Sequence, residues 1–365
     1  MTFDPITLAQ PSIVSLTPYQ PGKPLRELER EYGIEDAVKL ASNENPLGPS
    51  PAAVQAIKAA VTELNRYPEG NAPDLKMALA QHHGVTMDQL VLGNGSNEIL
   101  ELLVRVFAGQ GRSVVFSRYA FAVYPLVSLA VGATLIEVPD QRWGHDLEAM
   151  RAAITDDTRL VFIANPNNPT GTWSKADELR RFMRSLPTHV IAVVDQAYIE
   201  YVQEEEYPDC IDWLQAFPQL VLTRTFSKIY GLAGLRLGYS LSSAQLADLL
   251  NRARQPFNTN YLAQIAAVAA LGDDEFVVRS VELNQREGRR VCAALTERGI
   301  SYIPSVANFV SFQVEQAAVI CEKLLQQGVI VRPMAGYKMP EYLRLTYGLS
   351  TENSRFLRAL DQALL

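Results

Sequence analysis

The feature that most constrains this chain is a series of short apolar runs, each ending abruptly in a polar or glycine-containing turn. Gln89–Leu92, Val114–Phe116, Thr134–Val138, Leu160–Ala164, Val190–Val194 and Leu220–Leu222 are each too short for a helix and lack the polar alternation of a half-wetted strand. Between them lie segments with helical apolar spacing, such as Ile99–Phe107 and Asp146–Ile154. Strands buried on both faces and joined through helices make a largely parallel sheet with helical layers on either side. In such sheets ligands bind beyond the carboxyl ends of the strands, so the turns after these runs are where function should be sought.

Three of those turns carry unusual chemistry. Gly93-Asn94-Gly95-Ser96-Asn97-Glu98 opens a helix, and its free N–H groups and helix dipole offer a phosphate site at Ser96 and Asn97. Position 98 is Glu, so the dinucleotide spacing GxGxxG is absent and a smaller phosphate is favoured over NAD. Asp195 ends an apolar strand, where a carboxylate is costly unless a cation meets it. After Leu220–Leu222, the string from Thr223 to Tyr239 places Lys228 among hydroxyls, glycines and a second cation, Arg236. A lysine in such surroundings can lose its proton and attack a carbonyl, while Ser227 and Arg236 suit an anion.

Composition limits the alternatives. The formal charge of −7 argues against a nucleic-acid partner, which calls for a broad basic face. Three cysteines without CxxC spacing and four histidines point away from a disulfide framework or a structural metal site, and toward a reducing compartment. No run approaches 18 apolar residues and no leader pattern opens the chain, so neither a membrane span nor secretion is expected and a cytoplasmic location follows.

The string Ser227-Lys228-x-x-Gly231-Leu232-Ala233-Gly234-Leu235-Arg236-x-Gly238-Tyr239 resembles the cofactor-lysine motif of the pyridoxal 5'-phosphate aminotransferases of the aspartate aminotransferase superfamily, and in particular the histidinol-phosphate aminotransferases. Asn165-Pro166-Asn167-Asn168-Pro169-Thr170-Gly171 is similar to their Asn-Pro-Thr-Gly loop. The resemblance implies that Lys228 carries the cofactor and moves the substrate proton. It also implies that Asp195 keeps the ring nitrogen protonated, that Asn168 and Tyr198 reach the phenolic oxygen, and that Phe121 stacks on the ring. Ser96, Asn97, Ser227 and Arg236 would hold the phosphate, joined by Tyr67 of a neighbouring subunit in a homodimer. Tyr19, Asn43, Arg332 and Arg344 would bind substrate, the arginines taking its anionic groups.

The expected architecture is a large α/β domain, about residues 49–255, with a mixed, mostly parallel seven-stranded sheet. A smaller α+β domain combines an N-terminal arm, residues 1–48, with residues 256–365. This arrangement is the type I fold of pyridoxal-phosphate enzymes. The expected reaction converts L-histidinol phosphate and 2-oxoglutarate to imidazole-acetol phosphate and glutamate, in histidine biosynthesis. Three alternatives share the scaffold: an aminotransferase for aromatic amino acids, an amino-acid phosphate decarboxylase, and a catalytically idle binding or regulatory homologue.

Overall fold

A computed structural model describes residues 3–18 and 22–365 of the chain. Its strands are β1 (Val38–Lys39), β2 (Leu90–Gly93), β3 (Ser113–Ser117), β4 (Thr134–Val138), β5 (Thr158–Ala164), β6 (Ile191–Asp195) and β7 (Leu220–Thr225). They continue with β8 (Gly238–Ser242), β9 (Tyr302–Ile303), β10 (Phe309–Gln313), β11 (Val329–Ile330), β12 (Arg332–Pro333) and β13 (Tyr342–Thr346). Seven of them form one sheet in the order β2-β8-β7-β6-β5-β3-β4. The five strands from β4 to β7 run parallel, and β8 runs antiparallel to both of its neighbours.

The sheet is mixed and mostly parallel, as expected, and its apolar runs are continuous because both faces are covered. Along β5, Leu160 and Phe162 turn to one face and Val161 and Ile163 to the other. The first pair meets helices Ser96–Phe107 and Ala244–Ala253; the second meets Pro73–His83, Ala176–Ser185 and Tyr261–Leu271. Period-2 alternation here separates two dry layers instead of core from water.

A second sheet, β12-β13-β10-β9, is antiparallel throughout. Phe312, Leu343 and Leu345 on it pack with Phe356 and Leu360 of helix Ser350–Ala363 in a core of their own. The N-terminal segment joins this lobe through β1, which pairs parallel with β11. This sheet and the helices packed on it form a smaller α+β unit.

The first helix beyond the expected boundary at 255/256 packs with the large sheet. Helix Tyr261–Leu271 buries Ala263, Ala266, Ala267 and Ala270 in the core of the large sheet, where alanines allow close approach to helices Pro51–Ala60 and Pro73–His83. Helix Asp274–Glu297 then crosses between the lobes: Val277 and Val281 pack on the large core, Val291 and Leu295 lie in the small one.

Candidate active site

The carboxyl ends of β5, β6 and β7 open into one cavity of about 220 Å³. Asp195 closes β6, held in register between Ala164 of β5 and Thr223 of β7. The Tyr124 hydroxyl donates to Asp195 Oδ2 at 2.8 Å, and the Tyr124 ring lies flat on Phe162 with 4.7 Å between centroids. Among the described residues, none makes a hydrogen bond of good geometry to the buried Asp195 Oδ1. Burial pushes the carboxyl above its ordinary pKa, opposed by the Tyr124 and Thr223 hydroxyls, the Ala197 backbone N–H and, least, the charge of Lys228. A buried carboxylate oxygen in this condition calls for a donor or cation in the cavity.

Lys228 follows β7 and reaches the same cavity, its Nζ donating to the Ser42 carbonyl at 3.3 Å and lying 5.6 Å from the centre of the Tyr198 ring. Desolvation, with the nearby Arg344 and Arg236 charges, lowers its pKa to about 8. About a tenth of the amine is therefore neutral at pH 7 and about half near pH 8, and that form is nucleophilic.

The helix Ser96–Phe107 begins at Gly95 with no side chain capping its first N–H groups. Gly95 has φ 80°, and a Cβ there would come within 2.5 Å of Arg236 Nη2. The missing side chain lets a guanidinium sit against the helix end. Gly238 of β8 is pressed so closely on Ser96 N that a side chain would collide with it. Ser96, Asn97, Thr225, Ser227 and Arg236 all line the cavity here, so open backbone donors, hydroxyls and a cation converge on one anion site.

The opposite wall comes from the small domain and the arm. Arg344 is 5% exposed; its guanidinium donates to Asn168 Oδ1 and to the Ala41 carbonyl at 3.0 Å, and among the described residues its Nε–H has no partner. Arg332 lies directly across the ladder from Arg344. Like charges in that position repel unless an anion lies between them. Tyr198, 4% exposed, packs edge-on to Phe309 and accepts from Asn43 Nδ2 at 2.9 Å. Its pKa is pushed up to about 12 by burial, so it is present as a neutral phenol. Phe121 lines the cavity edge-on to Tyr124 at 5.8 Å.

Twelve of the fourteen residues singled out from sequence thus line one cavity: Asn43, Ser96, Asn97, Phe121, Asn168, Asp195, Tyr198, Ser227, Lys228, Arg236, Arg332 and Arg344. Tyr67 does not; it is 84% exposed and stacks on Phe257 with 4.8 Å between centroids. Tyr19 lies outside the described residues. Sequence reasoning missed Tyr124, whose hydroxyl donates to Asp195 Oδ2; it stands in the first turn of the helix Val123–Ala130, just after Phe121. It also missed Thr346, whose hydroxyl binds Asn43.

These groups fit a flat heteroaromatic phosphate: the lone Asp195 oxygen suits a protonated ring nitrogen, and the cradle around Gly95 suits the phosphate. A family model described as aminotransferase class I and II matches residues 35–360. The chain belongs to the class I and II aminotransferases.

This aminotransferase is 53% identical over 358 residues to histidinol-phosphate aminotransferase 1 of Nitrosococcus oceani, covering 98% of the chain and 97% of that protein. With histidinol-phosphate aminotransferase 1 of Dechloromonas aromatica the identity is 55% over 352 residues, covering 96% and 97%. The crystal structure of histidinol-phosphate aminotransferase from Sinorhizobium meliloti, in complex with pyridoxal-5'-phosphate, superposes with a TM-score of 0.90 at 29% identity, covering 98% and 97%. The fold is also that of aspartate aminotransferase from Thermus thermophilus, at a TM-score of 0.82 and 24% identity over 93% of the chain and 94% of that one. Among the described residues of the aminotransferase, no helix is long and apolar enough to cross a membrane, and no group of three or more acidic, His or Cys side chains is placed to hold a metal ion.

Proposed function

We propose that this aminotransferase uses pyridoxal 5'-phosphate to move the amino group of L-histidinol phosphate to 2-oxoglutarate, giving imidazole-acetol phosphate and glutamate in histidine biosynthesis. The observation that carries the reading is one cavity in which a lysine of lowered basicity and a buried carboxylate oxygen, with no hydrogen bond of good geometry among the described residues, face a pair of arginines.

Ser96, Asn97, Ser227 and Arg236 would hold the cofactor phosphate, Asp195 the ring nitrogen, Asn168 and Tyr198 the phenolic oxygen, Phe121 one ring face and Lys228 the aldehyde carbon. When bound, the cofactor supplies an electron sink that acidifies the substrate's Cα–H. Lys228 Nζ takes that proton and returns it, which requires the neutral amine that desolvation favours. Tyr124 keeps Asp195 oriented and Asp195 keeps its charge for the ring. Arg344 and Arg332 bind the phosphate of one substrate and a carboxylate of the other, since both are anions with paired oxygens. The resemblance adds Tyr19 and Asn43 to the substrate contacts.

We place the enzyme in the cytoplasm as a homodimer. The cysteines Cys210, Cys292 and Cys321 are unpaired, which suits a reducing compartment. The exposed Tyr67 ring, braced on Phe257 and away from its own cavity, suits a role across a subunit contact toward the other copy's cofactor phosphate. We place the division between domains within helix Asp274–Glu297, which contributes to both cores.

Half-reactions followed by the absorbance of the bound cofactor test the reading. Histidinol phosphate and glutamate should each discharge the absorbance band of the loaded enzyme. Rapid discharge by tyrosine or phenylalanine with none by histidinol phosphate would replace this substrate with an aromatic amino acid. No discharge by any amine would leave a binding protein.

A further inference from the structure

Among the described residues the Tyr198 hydroxyl has one hydrogen-bond partner, and that partner belongs to the N-terminal arm, outside the large sheet. Asn43 Nδ2 donates to it at 2.9 Å. The other end of the same amide, Oδ1, accepts from the Thr346 hydroxyl at 3.0 Å, and Thr346 Oγ1 in turn accepts the Asn43 backbone N–H at 2.9 Å. Asn43 is 1% exposed and sits at φ 56°, a left-handed conformation that asparagine tolerates better than most residues. Asn308 Nδ2 holds its carbonyl at 3.0 Å. Thr346 is on β13, two residues beyond Arg344.

The direction of these bonds has a consequence. Thr346 has one proton and gives it to Oδ1, which leaves the amide nitrogen turned toward Tyr198. The Tyr198 oxygen accepts there, so its own proton must find another acceptor. The charged and titratable neighbours offer little: Arg344 only donates, Lys228 in the loaded enzyme is taken up by the cofactor, and Asp195 is already engaged by Tyr124 on one oxygen and lines the ring site with the other. Tyr337, also close, lines the same cavity, so a Tyr198 proton directed at it would still point into the cavity. The proton is left to point into the cavity.

We propose that Asn43, braced by Thr346, is a positioning residue that turns the Tyr198 hydroxyl proton toward the cofactor's phenolic oxygen, so that the arm and small domain set the basicity of a cofactor held by the large domain. The inference rests on the reading above in which Tyr198 reaches that oxygen. A donated hydrogen bond stabilises the charged oxygen, and its loss makes the bound cofactor hold a proton more tightly.

The test is a pH titration of the bound cofactor's absorbance in the loaded enzyme. Asn43→Gly keeps the left-handed backbone without strain and removes the amide. Its titration midpoint should rise by about one pH unit, the scale of one hydrogen bond to a charged group. Thr346→Val should move it in the same direction by less, and Thr346→Ser should restore the wild-type midpoint. An unmoved midpoint in Asn43→Gly overturns the proposal; so does a fall, which would mean that Tyr198 donates to the amide. If Asn43→Gly does not fold, the two Thr346 variants decide, and equal midpoints overturn the proposal. A wild-type enzyme that takes up no pyridoxal phosphate would instead sink the functional reading.

Discussion

The two walls of the cavity are built on different principles. The large-domain wall is a set of loop ends on parallel strands whose every neighbour is fixed: Asp195 is locked between β5 and β7, and Lys228 follows directly from β7. The small-domain wall is an antiparallel ladder carrying Arg332 and Arg344 on adjacent strands, joined to the arm through Asn43 and Thr346. Helix Asp274–Glu297 runs from one to the other. On the proposed reading, the first wall keeps one permanent partner, the cofactor, while the arginines of the second take one substrate anion after another. A site that must keep its cofactor while accepting two unlike substrates needs both kinds of wall.

If the walls divide labour this way, the largest effect should come from the first. Asp195→Asn should lower kcat about 10³-fold, the scale seen when one preorganised electrostatic partner is lost, with KM for histidinol phosphate little changed. Single-turnover rates check this, and a KM effect larger than the kcat effect would erase the distinction. Arg344→Ala should do the reverse: an increase in KM for histidinol phosphate of about 10²-fold, from lost charge-assisted hydrogen bonds, while cofactor affinity stays near wild type. An unchanged KM removes Arg344 from the substrate wall.

The pH dependence sharpens the contrast further. Because the Lys228 pKa is lowered to about 8, the apoenzyme should capture pyridoxal phosphate faster as pH rises, about tenfold per unit below 8 and flat above. The direction follows from the neutral amine being the nucleophile and the protonated form, inert, dominating below that pH. Stopped-flow absorbance measures it; a rate still climbing at pH 10 would mean an unperturbed lysine. The smallest effect is expected from Tyr67→Phe, a few-fold loss of cofactor affinity from removing one phenol donor, with Tm unchanged because the exposed ring keeps its stack on Phe257. Full affinity in this variant would leave Tyr67 with no part in the site.

The same contrast explains what could be read from the sequence. Asp195 stands immediately beyond a continuous apolar run and Lys228 in the turn that follows another, where polar groups are expensive, and so the sheet and the edge on which to look for a site were legible. Gly238–Ser242 was not read as a strand: it begins with glycine, is five residues long, and pairs antiparallel with segments whose proximity only the assembled sheet creates. Helix Tyr261–Leu271 carries no linker composition to mark which lobe it joins, and its alanines settle the matter through packing alone. Nothing in the spacing of residues 43, 198 and 346 shows that they meet; their hydrogen bonds span more than 150 positions and depend on the two lobes closing together. Tyr124 was visible only as an aromatic, since its role depends on a carboxylate 71 residues away.

The account stands on Lys228 being the amine that engages the cofactor, and borohydride treatment of the loaded enzyme followed by peptide mapping tests it most directly. The prediction is a single pyridoxyl group on the peptide containing Lys228, absent from Lys228→Ala. A stable adduct on any other lysine, or none on an enzyme that still transaminates, would contradict it.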